Sequence, residues 1–255
     1  MECSLHRFIV PLLAGTLITV SSHASAGGWV ADEKSGCNLW HKNPQFSHTV
    51  PYEGGCESGK AAGRGEAVWQ YDGKPSDRYE GMYADGKRNG RGKLYFAWGL
   101  TYDGEWKNGL RHGHGVEEMI LGEKKVRFEG AFLNDLRHGF GTVSTSYGHG
   151  YEGEYRAGKK HGYGKETLLS GTYEGEWADG EYNGRGTFVW PSGDRYEGEF
   201  RDSREHGEGK MFYADGMQYE GRWRNGHPFG KGVLIATDGR RVNGTFEGGK
   251  FVSTD

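Results

Sequence analysis

Aliphatic side chains, proline, cysteine and charge of one sign are all scarce in this sequence. Hydrophobic residues fill 34% of its 255 positions, and aromatics alone supply 14%. So little aliphatic surface marks disorder only when net charge is high. Here 32 basic residues face 35 acidic ones, a net charge of −3. The same balance excludes a strongly basic footprint, so no nucleic-acid partner is expected. With 6 prolines and no Gly-X-Y period, a collagen helix is excluded. What is plentiful is glycine: 47 residues, about 18% against a usual level of about 7%. The chain is ordered, glycine-rich, and builds its core from Tyr, Trp and Phe.

The one long apolar run lies at the start. Arg7 precedes an apolar stretch from Phe8 to Val20, then polar Ser21, Ser22 and His23, then Ala24-Ser25-Ala26. This is the charged, apolar and small-residue layout of a secretory signal peptide, so residues 1–26 are expected to be cleaved. The apolar stretch is too short for a bilayer core of about 30 Å. The mature chain is expected to be exported, periplasmic or secreted. Cys3 leaves with the signal, and Cys37 and Cys56 remain as a pair. In an oxidising compartment such a pair is expected as a disulfide, contributing about 3 kcal/mol by loop closure.

A repeat fills the rest. Units start at Tyr52, Tyr79, Tyr102, Phe128, Tyr151, Tyr173, Tyr196, Tyr219 and Val242. Two places after each start stands a glycine: Gly54, Gly81, Gly104, Gly130, Gly153, Gly175, Gly198, Gly221 and Gly244. Four places after it an aromatic recurs: Tyr83, Trp106, Phe132, Tyr155, Trp177, Phe200, Trp223 and Phe246, with Cys56 in that slot of the first unit. A G-x-G pair follows in every complete unit, from Gly63 and Gly65 to Gly230 and Gly232. In a strand, alternate residues share a face, so Tyr173, Gly175 and Trp177 point one way and Glu174 and Glu176 the other. Asn108-Gly109, Asp179-Gly180 and Asn225-Gly226 then signal tight hairpins. The second strand alternates likewise, with Phe188 and Trp190, or Met211 and Tyr213, on one face. Each unit reads as one hairpin, and the whole as all-β: an elongated, twisted, single antiparallel sheet of tandem hairpins.

The pattern resembles the MORN repeat, with its Tyr-Glu-Gly-Glu-Trp opening, a turn glycine and a Gly-x-Gly pair. The resemblance runs from Tyr52 to Phe251 and implies a rod-like array of eight full repeats plus a half repeat. Asp135 and Ser203 depart from it at the turn glycine, and Val242 at the leading aromatic. Residues 27–51, with Trp29, Trp40 and Phe46, do not repeat and are expected to form an N-terminal cap, since the open face of a terminal repeat needs cover. Cys56 sits in a core-facing slot, so a Cys37–Cys56 staple would bring the cap to that face. Residues 252–255 are read as a tail.

Candidate chemistry is thin. His112, His138, His161 and His206 share one offset, but equivalent positions in adjacent hairpins lie two strands apart, about 9.6 Å. Zinc bonds of about 2.1 Å cannot span that, so no metal is expected. Glu80, Asp103, Glu129, Glu152, Glu174, Glu197 and Glu220 form a second ladder. Nothing sets one pair apart as glycosidase chemistry requires, and a solvated, cross-strand-paired face is expected instead. Gly148, Gly150 and Gly153 match G-x-G-x-x-G but precede strand sequence, where that fingerprint must open a helix. There is no nucleophile elbow and no phosphate loop, and neither enzymatic activity nor a cofactor is expected. Asn243-Gly244-Thr245 is a glycosylation sequon, meaningful in a eukaryotic source.

The resemblance implies a role as spacer, tether or assembly platform, so the leading expectation is an exported, non-catalytic scaffold for protein partners in the cell envelope. The alternative is a module for anionic lipid headgroups or envelope glycans. Its supports are the short basic clusters Lys124-Lys125-Arg127, Lys159-Lys160 and Arg240-Arg241, shorter than stable electrostatic attachment requires, and an aromatic-lined face. Val242, Phe246 and Phe251 at the C-terminal half-repeat form the expected association edge, because an open sheet offers unpaired backbone groups there. Self-pairing would close as a homodimer, and a partner could instead add a strand. The family's habit of end-to-end pairing points the same way.

Overall fold

The computed structural model describes residues 27–42, 50–71 and 74–254. The expected signal segment 1–26, and Phe46 of the cap segment, lie outside the described residues. No helix occurs among those described. Two short strands, β1 (Gly28–Ala31) and β2 (Asn38–His41), come first. Hairpins follow in strict succession: β3 (Tyr52–Glu57) with β4 (Lys60–Tyr71), β5 (Lys74–Ala84) with β6 (Lys87–Tyr95), β7 (Leu100–Lys107) with β8 (Leu110–Leu121), and β9 (Lys124–Leu133) with β10 (Leu136–Thr145). They continue as β11 (Gly150–Arg156) with β12 (Lys159–Leu168), β13 (Gly171–Ala178) with β14 (Glu181–Val189), and β15 (Arg195–Arg201) with β16 (Arg204–Phe212). The last are β17 (Gln218–Arg224) with β18 (His227–Ile235) and β19 (Arg241–Glu247) with β20 (Lys250–Thr254). Consecutive strands pair antiparallel from β3 to β20, which makes one open sheet of tandem hairpins.

One glycine on every strand from β3 to β19 lies opposite a glycine of its neighbour, as in the run Gly164, Gly175, Gly186, Gly198 and Gly209. The leading ring of each hairpin from β3/β4 to β17/β18, a tyrosine except for Phe128, lies over that hairpin's glycine pair. A Cβ on Gly186 would meet the Tyr173 ring at 2.6 Å. The offset-four aromatic stands edge-on between the leading rings of its own hairpin and the one before. Trp177 meets Tyr173 at 5.4 Å and Tyr151 at 5.2 Å, with interplanar angles of 89° and 88°. The alternation continues without a gap from Tyr52 and Tyr83 to Phe246 and Phe251. Edge-to-face pairs each add about 0.5–1.5 kcal/mol beyond the area they bury.

Within each hairpin from β3/β4 to β17/β18 the second strand carries two extra residues, the first Gly and x of G-x-G. In β11/β12, Gly153 pairs with Gly164 while Glu154 pairs with His161. That bulge bends the hairpin and leaves the offset-three carbonyl outside the ladder, where a buried carbonyl must find another donor. The leading tyrosine supplies it: the Tyr173 hydroxyl donates to the Glu176 carbonyl at 2.7 Å, and Tyr79, Tyr102, Tyr151, Tyr196 and Tyr219 repeat the bond. The tight turns have left-handed backbone at both central residues, as at Asn108 (φ 53°) and Gly109 (φ 87°), the conformation that matches strand twist. Asp135 (φ 71°) and Ser203 (φ 59°) adopt it without being glycine.

The ends differ from the simplest reading. β1 and β2 pair with each other and do not extend the sheet beyond β3; among the described residues their one ladder pairing with it is Asn38 opposite Lys60, in parallel. The hairpin lies over the aromatic face, with Val30 and Leu39 buried in the common core. Cys37 is fully buried and bonded to Cys56 of β3. Cys56 itself is exposed, because no earlier hairpin covers its slot. At the other end, Gly248 and Gly249 turn the chain into β20, so residues 252–254 are strand, where a tail was expected. Phe251 fills the place left by Val242: a Cβ on Gly244 would lie 2.3 Å from its ring.

Candidate functional site

Three surfaces hold the polar and exposed groups. The first is the inward, aromatic face. In the six hairpins from β5/β6 to β15/β16 the second residue after the tight turn lies directly opposite the offset-four aromatic and so faces inward: Arg88, Arg111, Arg137, Lys160, Tyr182 and Glu205. Arg88 lies over three rings, Trp69, Tyr79 and Trp106, at 4.6, 5.3 and 5.0 Å. Two buried carboxylates answer these cations. Glu117 pairs with Arg111 and, at 2.8 Å, with Arg137. Glu166 pairs with Lys160, contacts His149 Nε2 at 3.2 Å and accepts the Tyr182 hydroxyl at 2.9 Å. Burial, then the Glu166 charge, push the Tyr182 hydroxyl far above its ordinary range. Both oxygens of Glu117 and of Glu166 have a cationic or hydroxyl partner. The cluster replaces the apolar residues found at the same offset elsewhere, such as Leu94, Phe188 and Met211, and it fixes neighbouring hairpins to one another.

The second surface is the opposite, charged face. A groove of about 810 Å³ crosses β12 to β17, floored by Gly175, Gly186, Gly198, Gly209 and Gly221. Its walls include Tyr163, Glu176, Arg185, Glu199 and Lys210. Two carboxylate rows line this face. The offset-one row is ion-paired in part: Glu174 to Lys165 at 3.4 Å, Glu220 to Lys210 at 2.9 Å, Glu129 to Arg127 at 2.5 Å. The offset-three row, Glu105, Glu154, Glu176 and Glu199, is structural, each accepting the N–H of the bulged x residue at 2.9–3.5 Å. Those carboxylates sit where a Cβ on Gly113, Gly162, Gly184 or Gly207 would be. The signal was present in sequence as Glu at offset three, but its meaning required the bulge.

The histidine row remains spread over separate hairpins, and no group of three His, Cys, Asp or Glu side chains able to hold a metal occurs among the described residues. The basic clusters are drawn into the chain's own ion pairs. Lys125 and Arg127 pair with Glu118, Lys160 is inside, Arg240 pairs with Asp238 and Arg241 with Glu220. Two large rings stand exposed at the x position of successive hairpins, Phe140 and Tyr163, 57% and 55% accessible.

The third surface is the rim. Among the described residues, β20 pairs with β19 alone and β3 with β4 alone. Of the three edge candidates, Phe246 lies on the interior strand β19 and is buried against Tyr219, whereas Phe251 lies on β20 and is 45% exposed, with Val252 beside it. Val242 is exposed on β19, next to Asn243 of the sequon. Among the described residues the free edge is therefore on β20 itself. Along one long side of the sheet the tight turns form a row in which each turn N–H donates to the hairpin before, as Gly109 does to Arg88 and Gly180 to Lys160, both at 2.9 Å.

A family model for the MORN repeat matches residues 79–101, 102–118, 128–144, 151–172, 173–195, 196–218 and 219–239, together more than half of the chain. The matched segments begin on the leading aromatics of β5, β7, β9, β11, β13, β15 and β17.

Proposed function

The chain belongs to the MORN-repeat family, a repeat scaffold or binding module, and from that premise we propose that it is an exported, non-catalytic scaffold that holds a protein partner in the cell envelope. The observation that carries the proposal is the edge of β20, which among the described residues pairs with β19 alone and leaves Phe251 and Val252 exposed. A partner strand, or a second copy of β20, can pair there, because sheet edges bind extended chain through backbone hydrogen bonds. The Cys37–Cys56 disulfide supports an oxidising compartment.

Crosslinking in the native compartment, followed by mass spectrometry, tests both halves. The mature protein is expected to lack residues 1–26, to contain no thiol open to alkylation before reduction, and to crosslink to a partner through Lys250. An intact N-terminus or a free Cys37 would overturn export; absence of any crosslinked protein would overturn the scaffold. Sedimentation equilibrium then distinguishes a homodimer from a foreign partner. A second reading, a glycan-binding module, rests on Phe140 and Tyr163. Their exposed rings stand on adjacent hairpins of the charged face, where rings could stack on sugars, and glycan pulldown on a Phe140→Ala, Tyr163→Ala variant tests it. The ion pairing of each basic cluster weakens the lipid-headgroup alternative.

A further inference from the structure

The chain already shows what its row of tight turns can hold. The N-terminal hairpin runs along that row, with the Asn38 N–H donating to Gly59 O at 2.9 Å and the Trp40 N–H to Gly86 O at 2.8 Å. Each of its tryptophans sits on the turn glycine of one hairpin, near the lysine that follows the turn of the hairpin before. The Trp29 ring lies where a Cβ on Gly86 would be, 2.6 Å away, with Lys60 Nζ 5.5 Å from the ring centre. The Trp40 ring lies 2.7 Å from the Cβ position of Gly109, with Lys87 Nζ at 5.8 Å. A bare left-handed glycine provides the flat floor and a lysine the cation that indole attracts best among the rings.

The repeat carries this lysine–glycine seat further along. At the next turn Asp135 replaces the glycine and binds Lys42 and Arg111. At the one after, the chain's own Leu136 approaches Gly158, 3.7 Å from its Cβ position. Lys159 and Gly180 then restore both parts of the seat. Gly180 is left-handed (φ 94°), with no atom within 4 Å of its Cβ position, and Lys159 is exposed. Leu136, 49% exposed, supplies apolar surface beside Gly158.

We propose that the turn row beyond the N-terminal hairpin is a docking track for an extended, tryptophan-bearing segment of a partner protein. Its indole is seated on Gly180 beside Lys159, and its backbone N–H is bonded to the Gly158 carbonyl. The track continues an interface the chain makes with itself, and it rests on the scaffold reading above, for which it names the partner's chemistry.

The probe is a labelled synthetic peptide copying residues 27–42 with Ser for Cys37, titrated into the full oxidised mature chain. The native hairpin, held by Cys37–Cys56, keeps the first seats filled, so the peptide meets only the later row. Saturable binding is expected, lost when both tryptophans of the peptide are alanine. It should weaken at least tenfold in Gly180→Ala and severalfold in Lys159→Glu, a surface change that leaves the turn backbone intact. Absence of saturable binding, or equal binding by wild type and Lys159→Glu, overturns the track. Native crosslinks confined to β20 would overturn it too while leaving the scaffold standing.

Discussion

Replacing Gly175 with alanine adds one methyl group to the face where Tyr173 lies. The new Cβ would stand 2.5 Å from Gly186 Cα, 2.6 Å from Arg185 O and 2.6 Å from Tyr173 Oη. The first two atoms belong to the paired strand and are held by the ladder. The ring can yield only by giving up its 2.7 Å bond to Glu176 O, its edge contact with Phe200 at 5.1 Å and its stack on Tyr182 at 3.8 Å. Overpacking of this kind costs about 1–3 kcal/mol, and the lost hydrogen bond about 1 kcal/mol more. A destabilisation of about 2–4 kcal/mol is expected on these two terms. The neighbouring change Glu174→Gln removes a half-exposed pair to Lys165 at 3.4 Å, worth under about 1 kcal/mol. Urea denaturation of the oxidised mature chain, followed by tryptophan fluorescence, measures both. Thermal midpoints should separate as well, at about 2–4 °C per kcal/mol for a domain of this size. Equal stabilities, or Gly175→Ala within about 0.5 kcal/mol of wild type, the range of an ordinary surface change, would refute the placement of rings on bare glycine.

Alkaline pH should unfold the sheet. Burial pushes the Tyr155 and Tyr219 hydroxyls up to about 12, and those of Tyr79, Tyr102, Tyr173 and Tyr196 rise as well. Because the folded values exceed the unfolded value near 10, this stability is complete below about pH 10 and lost as pH rises toward the folded values. Tyrosinate absorbance and the loss of sheet signal should therefore change together; tyrosines that ionise near pH 10 with the sheet intact would contradict this. Glu166→Gln should cost about 1–3 kcal/mol by leaving the half-buried Lys160 charge without its counter-ion. Removing both, as Glu166→Leu with Lys160→Met, should restore most of it in the same urea assay. At the turns, Ser203→Gly should be neutral or stabilising, the released left-handed strain offsetting one bond of 3.2 Å from Tyr182 N–H to Ser203 Oγ. Asp135→Gly should destabilise by about 1–3 kcal/mol, since Asp135 accepts from Arg111 N–H at 2.9 Å and binds Lys42; thermal melts of the two variants side by side decide the order.

Aromatic, glycine, aromatic at alternate positions declares both the strand and its inner face, and Asn-Gly or Asp-Gly declares the turn, so the hairpin array was readable from residues alone. The bulge was not. Two extra residues in a G-x-G pair look like turn chemistry, and only the observed register shows Glu176 bonded across them. Lys160 reads as half of a surface basic pair, yet it lies opposite Tyr155 and points into the rings. A charged residue on the buried face carries no local mark of its position. The N-terminal hairpin occurs once, so no repetition reveals that it covers turns and face and leaves the β3 edge free. The last strand was hidden for a related reason: with Val242 in place of the leading aromatic, the ring that completes the unit arrives from Phe251, late in the sequence.

From β5 onward the register breaks only inside hairpins; each hairpin meets the next in unbroken pairing. All the distortion is thus contained within the unit that is copied. Inserting or deleting one unit would change no local geometry and would move β20 relative to the disulfide-tethered hairpin by two strand spacings, about 9.6 Å. The separation between the two ends becomes a quantity that gene duplication can count, in steps of about a nanometre. A tether built this way sets a gap between its attachments by the number of its repeats, with no other part of the molecule needing to adapt.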